Sequence, residues 1–407
     1  MKIALVHDYL VNLGGAERTV ASILEAFPGA PLFTSVHLPE LRIAGLDGTE
    51  IRTSFMQHLP FLKRHFRKYF LLYPWAIERF DFRPFDVILS SSSAYAKFAI
   101  PGEATCHICY CYTPMRFAWD PEGYLAREEI GPLTRRLLRP LLTGLRERDA
   151  RAAARVHHFI AISEPIRQRI RHCYGRGATV ISPPVETGRF ALSDRPGEYY
   201  LVVSRLVAYK RIDLVIEAFN RLGHRLLVVG DGPQARPLKR GARSNIEFCG
   251  AVAEEDLPRL YAGCRALLLA AEEDFGIAPV EAMACGKPVI AYAAGGALET
   301  VVPVRGARGG QGEAAGGAGP AAGAAGVPEG VRPTGVFFRE QTPEAIVGAV
   351  REFEAHEGRF EPEAIRRWAL RFDKEVFKER ITAFVREKWQ EFREGRRDAA
   401  RGSHVAA

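Results

Sequence analysis

The sequence predicts an α/β protein made of two doubly wound parallel sheets, and three observations carry that prediction. Apolar runs of strand length alternate with segments of helical period along most of the chain, which is how parallel βαβ units read. The alternation resets once, across the Pro- and Gly-bearing stretch 183–197. The length of 407 residues exceeds one ordinary core and suits two domains of about 180 residues each.

In the first half the expected strands are residues 2–7, 31–36, 86–90, 106–111, 158–162 and 179–181. The second half reads as strand 199–203, helix 211–222, strand 225–229, helix 234–243 and strand 246–249. Helix 255–262, strand 266–269, helix 279–285 and strand 288–292 follow, then helices 343–356 and 361–394. The expected domains are 1–185 and 186–360, each a Rossmann-like unit. A helical segment, 361–407, is expected to return to the first domain and fray at its end. Residues 305–333 are rich in Gly and Ala; with few large apolar groups to bury, they predict a flexible surface insertion rather than a lid. Doubly wound sheets bind ligands outside the carboxyl ends of their strands, so the site is expected in the cleft between domains.

A hydrophobic content of 47% with 26% charged residues is that of a globular protein, and apolar runs such as 266–271 are far too short to span a membrane. The chain opens directly on a strand pattern without a signal-peptide cleavage pattern. Its seven cysteines lack the paired spacing of a metal site, so reduced thiols in a cytoplasmic protein, with no bound metal or cofactor, are expected. A net charge of +8 invites a polyanion: nucleic acid, an anionic membrane or a phosphate-bearing substrate. No nucleic-acid reading motif accompanies it, so nucleic acid is not an expected partner.

Chemistry-bearing residues fall at the ends of strands. Gly14 and Gly15 stand between the first strand and a helix, where backbone amides can approach a phosphate; taken alone, the pair is better explained by a plain tight turn. Gly230-Asp231-Gly232-Pro233-Gln234-Ala235 formally fits a dinucleotide fingerprint. It follows the second strand of its domain, however, and Pro233 removes an amide that a pyrophosphate would need. Ser204, Arg205 and Lys210 follow the first strand of the second half. Glu273 lies in the loop after strand 266–269, and Glu281 lies on the next helix with seven residues between them. A diphosphate against Phe275, Gly276 and Ile277 would meet that helix's amino end.

Together, Gly14-Gly15, Ser204-Arg205, Lys210, Gly230-Asp231-Gly232-Pro233 and the Glu273–Glu281 pair resemble the family 4 retaining glycosyltransferases of the GT-B fold. The resemblance spans nearly the whole chain and implies an acceptor-side first domain and a nucleotide-sugar-binding second one. It implies that Arg205 and Lys210 bind the diphosphate of a nucleotide-sugar donor, Glu273 the transferred sugar and Glu281 the ribose. Gly250 and Val252 match the region that cradles the base. Segment 107–120, with Tyr112-Thr113-Pro114-Met115-Arg116 at its centre, is similar to bacterial mannosyltransferases of O-antigen or related surface-polysaccharide assembly. Those relatives usually carry His where this chain has Tyr112, so Tyr112 and Arg116 are expected sugar or acceptor contacts of altered form.

The implied activity is transfer of a hexose, with GDP-mannose favoured as donor, to a lipid-linked or saccharide acceptor. No Asp-x-Asp motif is present, so the two cations are expected to replace a divalent metal. Alternatives are a UDP-sugar-dependent transferase, a nucleotide-sugar epimerase and a non-catalytic membrane-binding protein. Two basic segments interleaved with large apolar residues, 59–72 and 135–155, predict contact with an anionic membrane surface on the cytoplasmic side; helices with one core face and one solvated face give the same pattern.

Overall fold

The computed structural model describes residues 1–123, 132–195, 197–304 and 330–405. The chain divides into two compact units, Met1–Pro184 with Lys374–Ala407, and Val185–Asp373.

The first unit holds seven strands: β1 (Ile3–His7), β2 (Leu32–Thr34), β3 (Ile51–Thr53), β4 (Val87–Ser92), β5 (Cys106–Cys111), β6 (His158–Ala161) and β7 (Ala178–Val180). They pair in parallel in the order β3-β2-β1-β4-β5-β6-β7. β4 and β5 are buried at every position, as central parallel strands covered on both faces must be.

The second unit holds β8 (Tyr199–Val203), β9 (Leu226–Val229), β10 (Ile246–Gly250), β11 (Cys264–Leu269), β12 (Val289–Tyr292) and β13 (Gly335–Phe338). Their order is β10-β9-β8-β11-β12-β13, again parallel. Each sheet therefore reverses its winding once, between β1 and β4 in one unit and between β8 and β11 in the other. The carboxyl ends of those paired strands are where doubly wound sheets collect ligands.

Three local expectations are corrected. Strand β3 was not expected, because three half-exposed edge residues give no apolar run to detect. Strand β13 was not expected either, since it follows closely on the Gly/Ala-rich stretch. The helix expected over 361–394 is broken. Helix Pro362–Ala369 tightens into a 3₁₀ turn, Leu370–Phe372, and Asp373 becomes extended before helix Lys374–Val405 begins. The reason is pairing. The Val185 amide donates to the Phe372 carbonyl at 3.0 Å, and the Thr187 hydroxyl donates to the Asp373 carboxylate. From Lys374 onward the chain packs on the first unit, where Lys374 and Lys378 pair with Glu25 and Phe377 meets the Tyr110 ring at 5.7 Å. The insertion expected at 305–333 lies, as far as residue 329, outside the described residues.

A buried ion pair anchors the long helix Pro132–Ala154 to the first unit. Lys97 Nζ lies 2.7 Å from Asp149 Oδ1, and both side chains are wholly buried. Trp119 Nε1 and the Tyr174 hydroxyl each donate to Asp149 Oδ2 at 2.7 Å, so the carboxylate is well supplied with donors despite its burial.

Candidate active site

In the second unit the loops after β8 and β11 bring the expected side chains together. Lys210 follows β8 on a short 3₁₀ turn, Ala208–Lys210, and its ammonium forms an ion pair with Glu273 from the loop after β11. Sixty-three residues separate the two in sequence; the adjacency of β8 and β11 brings them together. Arg205 is exposed, and its guanidinium donates to the Tyr209 hydroxyl at 3.4 Å. The Tyr209 ring centroid lies 5.1 Å from Lys210 Nζ. Tyr209 thus touches both cations, through its hydroxyl and its π face. Sequence reasoning missed it, since a tyrosine between basic residues carries no signal of its own.

The backbone fixes these loops closely. The Ser204 amide donates to Val229, Leu206 to Asp231 and Gln234 to Leu206, at 2.9–3.0 Å. A Cβ at Gly230 would lie 1.8 Å from the Ser204 carbonyl oxygen, and φ there is 129°. Glycine is therefore required for this zipper, which holds Ser204-Arg205 in place. The Gly230 amide continues it by donating to Gly250 at 2.8 Å; Val252 lies two residues beyond, half-buried.

Gly276 caps helix Ile277–Ala284 with φ 90°, and Phe275 is buried against Phe372. The Glu273 carbonyl accepts from the Gly296 amide at 2.7 Å, and a Cβ on Gly295 would lie 2.2 Å from that same oxygen. The pair Gly295-Gly296, absent from the expected site, clamps the carboxylate loop. Its signal was visible: two glycines in a loop between a strand and a helix, as at Gly14-Gly15. Glu281 is almost fully buried and accepts from the Tyr261 hydroxyl at 2.7 Å. Burial and the neighbouring Glu281 carboxylate hold the Tyr261 phenol well above its ordinary pKa, so it remains a donor to that carboxylate.

In the first unit, Gly14 is the N-cap of helix Gly15–Ala26. A Cβ there would lie 3.0 Å from Glu17 Oε2. Glu17 is buried, with His7 Nε2 3.8 Å from its Oε1. His7 Nδ1 meets the Ser91 hydroxyl at 3.2 Å, and that hydroxyl lies 3.0 Å from the Tyr112 hydroxyl. Tyr112 in turn donates to the Ala16 carbonyl at 3.1 Å. Burial raises its pKa, and the phenol stays protonated to make that bond. Tyr112 therefore ties β5 to the glycine loop. Arg116, half-buried, opens the short helix Arg116–Trp119 just beyond.

Asp8, directly after β1, was also missed. Its carboxylate accepts from the amides of Ser93, Ala94, Tyr95 and Ala96 at 2.6–2.9 Å. It closes the loop after β4 on the loop after β1, across the switch point. Among the described residues no group of three or more His, Cys, Asp or Glu is placed to hold a metal ion. No described helix is long and apolar enough to cross a membrane.

Two doubly wound parallel sheets are also what comparison with known proteins returns. The family model for Glycosyltransferase Family 4 matches residues 13–189, and that for Glycosyl transferases group 1 matches residues 189–307. The chain belongs to the family 4 glycosyltransferases of the GT-B fold. It is 33% identical over 175 residues to the GDP-mannose-dependent alpha-(1-6)-phosphatidylinositol monomannoside mannosyltransferase of Mycolicibacterium smegmatis, a match covering 35% of this chain and 45% of that one. The chain thus spans just under half the length of that relative. Among solved structures, a sucrose-phosphate synthase from Thermosynechococcus elongatus aligns with a TM-score of 0.67 at 16% identity, over 96% of this chain and all of that one. HepE of Anabaena aligns with a TM-score of 0.62 at 18% identity, over 95% of this chain and all of that one. At those identities the likeness is one of fold.

Proposed function

We propose that this protein is a retaining glycosyltransferase that moves mannose from GDP-mannose to a lipid-linked or saccharide acceptor in surface-polysaccharide assembly, on the cytoplasmic face of a membrane and without a metal ion. The observation that carries the reading is the meeting of Lys210 and Glu273, with Arg205 beside them, at the carboxyl ends of β8 and β11. Departure of a nucleoside diphosphate develops negative charge on the β-phosphate. Lys210, Arg205 and the amino end of helix Ile277–Ala284 stabilise that charge, and being fixed beforehand they need no reorganisation as it develops. Glu273 accepts from a sugar hydroxyl and Glu281 from the ribose, each bond contributing about 1.5–3 kcal/mol. Ser204, Gly230, Gly250 and Val252 line the nucleotide, largely through backbone. The acceptor hydroxyl attacks the sugar from the face that the diphosphate leaves, so no enzyme nucleophile is assigned.

Mannose and guanine come from two supports: the Tyr112-Thr113-Pro114-Met115-Arg116 segment and the GDP-mannose-dependent relative. Tyr112 acts as a positioning residue, since its hydroxyl fixes the Ala16 carbonyl of the glycine loop. Thermal shift with GDP, UDP and ADP at equal concentration tests the donor. A ligand at a hundred times its Kd adds about 2.7 kcal/mol, and GDP should raise the melting temperature most. A larger shift with UDP overturns the mannosyl assignment and leaves the broader transferase reading standing.

A further inference from the structure

We propose that the first unit docks on an anionic lipid bilayer through one face, formed by residues 59–79 and the outward side of helix Pro132–Ala154. Charge is the first argument. Segments 59–79 and 132–155 together hold twelve Lys and Arg against three Asp and Glu, a net +9, while the whole chain is +8. All of the protein's positive excess therefore resides in these two stretches, and the remainder is slightly acidic.

Apolar exposure is the second, and it coincides with the charge. Phe61 is 78% exposed, Leu137 66% and Trp75 55%; Leu141 and Leu71 are exposed as well. Isolated exposed apolar residues are ordinary, but a contiguous set ringed by cations marks an interaction face. Contacts join Leu71, Leu141 and Trp75 into one patch. Leu71 lines the same groove of about 320 Å³ as Leu141, Arg148 and Arg151. The Arg148 guanidinium stacks 5.5 Å from the Trp75 ring centroid and pairs with Glu78 at 2.9 Å. Leu137 and Leu141 are one helical turn apart, on one side of the helix. The adjoining side of the same helix is held inward by the buried Lys97–Asp149 pair.

Phe61 adds backbone strain. It is one of two non-glycine residues with positive φ among the described residues, at 53°, a conformation that costs a bulky side chain energy and recurs at functional sites. Here it presents an aromatic ring outward, next to exposed Lys63 and Arg64, with no burial within the protein to offset it.

A bilayer accounts for both halves of the pattern. Anionic headgroups attract the arginines, while Phe, Trp and Leu side chains enter the acyl boundary. Nucleic acid would satisfy the cations and leave the leucines in water. The proposal takes the membrane location of the function above and assigns it to a surface. Its test needs neither donor nor turnover, so its failure would leave the transferase reading intact.

The test is flotation of the full chain with phosphatidylcholine vesicles, with and without about 30% phosphatidylglycerol, at ionic strengths on either side of the physiological value. Binding should require phosphatidylglycerol and weaken with salt. Tryptophan emission should shift to the blue on binding, and Trp75→Phe should remove most of that shift. Arg136→Glu with Arg151→Glu should lower partitioning at least about thirtyfold, since each surface cation contributes about 1 kcal/mol. Phe61→Ser should weaken binding while leaving the melting temperature unchanged, because its ring lies in solvent. Equal binding to neutral vesicles, absence of binding at physiological salt, or indifference to these substitutions overturns the proposal. Capture of a short RNA at a salt concentration where vesicles are ignored would reassign the face to nucleic acid and overturn it equally.

Discussion

The two units share one topology and use it in opposite ways. Both are parallel sheets that reverse their winding once, and both concentrate polar residues at the carboxyl ends of the two strands flanking the reversal. In the second unit those residues are long and at least partly exposed: Arg205, Lys210 and Glu273 reach out from loops zipped together by backbone alone. In the first unit the corresponding residues are short or buried. Asp8, His7, Glu17, Ser91 and Tyr112 spend their hydrogen bonds on neighbouring backbone and on one another. A switch point can thus be a charged platform or an internally satisfied frame. Substitution should separate the two, since a frame residue costs stability and a platform residue costs turnover.

The largest effect is expected at Asp8. Asp8→Ala leaves four amides without their acceptor, and each unsatisfied buried donor costs about 1–3 kcal/mol. Allowing for relaxation and entering water, the loss should be about 4 kcal/mol, read as an early urea transition confined to the first unit. A midpoint like that of the unsubstituted protein would show that the carboxylate does not brace the frame.

Lys210→Ala should do the reverse. Turnover should fall about 10²–10³-fold, the loss typical of one preorganised charge-stabilising donor, with circular dichroism and melting temperature barely changed. Retained turnover would remove Lys210 from the platform.

Acid sharpens the same contrast. Burial lowers the His107 pKa to about 3, with lesser contributions from His157 and Arg155; its Nε2 lies 2.8 Å from the Ser90 hydroxyl. The unfolded chain takes up this proton near pH 6.5, well before the folded chain does. Stability present above pH 6.5 is therefore lost as pH falls toward 3, by about 1.4 kcal/mol per pH unit. Burial lowers His157 and His158 as well, steepening the slope in the same unit. His107→Gln should remove one proton from the slope of urea midpoint against pH between 6 and 4.5. An unchanged slope contradicts the burial account.

The smallest effect is expected at Tyr112. Tyr112→Phe removes the bond to the Ala16 carbonyl and should cost about 1 kcal/mol. If Tyr112 positions the glycine loop, KM for the donor should rise a fewfold with kcat little changed. If the ring touches sugar directly, kcat should fall and Tyr112→His should change which sugar is used.

What was legible in the sequence follows from how far apart the interacting residues lie. The fold class could be read because βαβ units are local patterns, each short enough to show its period. Glu273 and Glu281 could be placed on one loop and helix by their spacing, and Gly14-Gly15 by its position after a strand. The Lys210–Glu273 pair, the four amides around Asp8 and the hydroxyl of Tyr261 on Glu281 could not. Each joins segments separated by 20 to 88 residues, and the contact depends on strand order, which no local period encodes. Strand β3 was missed for a different reason: its three half-exposed residues carry no hydrophobic signal. The break at Asp373 was missed because helical propensity runs through it, and distant pairing with Val185 and Thr187 interrupts the helix.

Under the proposed function, Lys210 and Arg205 promote donor cleavage without a metal. The most direct measurement is the slow hydrolysis of GDP-mannose by the purified protein in EDTA, followed as released GDP and mannose, alongside Lys210→Ala. The account predicts release with EDTA present, and its reduction about 10²–10³-fold in the variant. Release that appears only with magnesium or manganese, or that Lys210→Ala leaves unchanged, would contradict it.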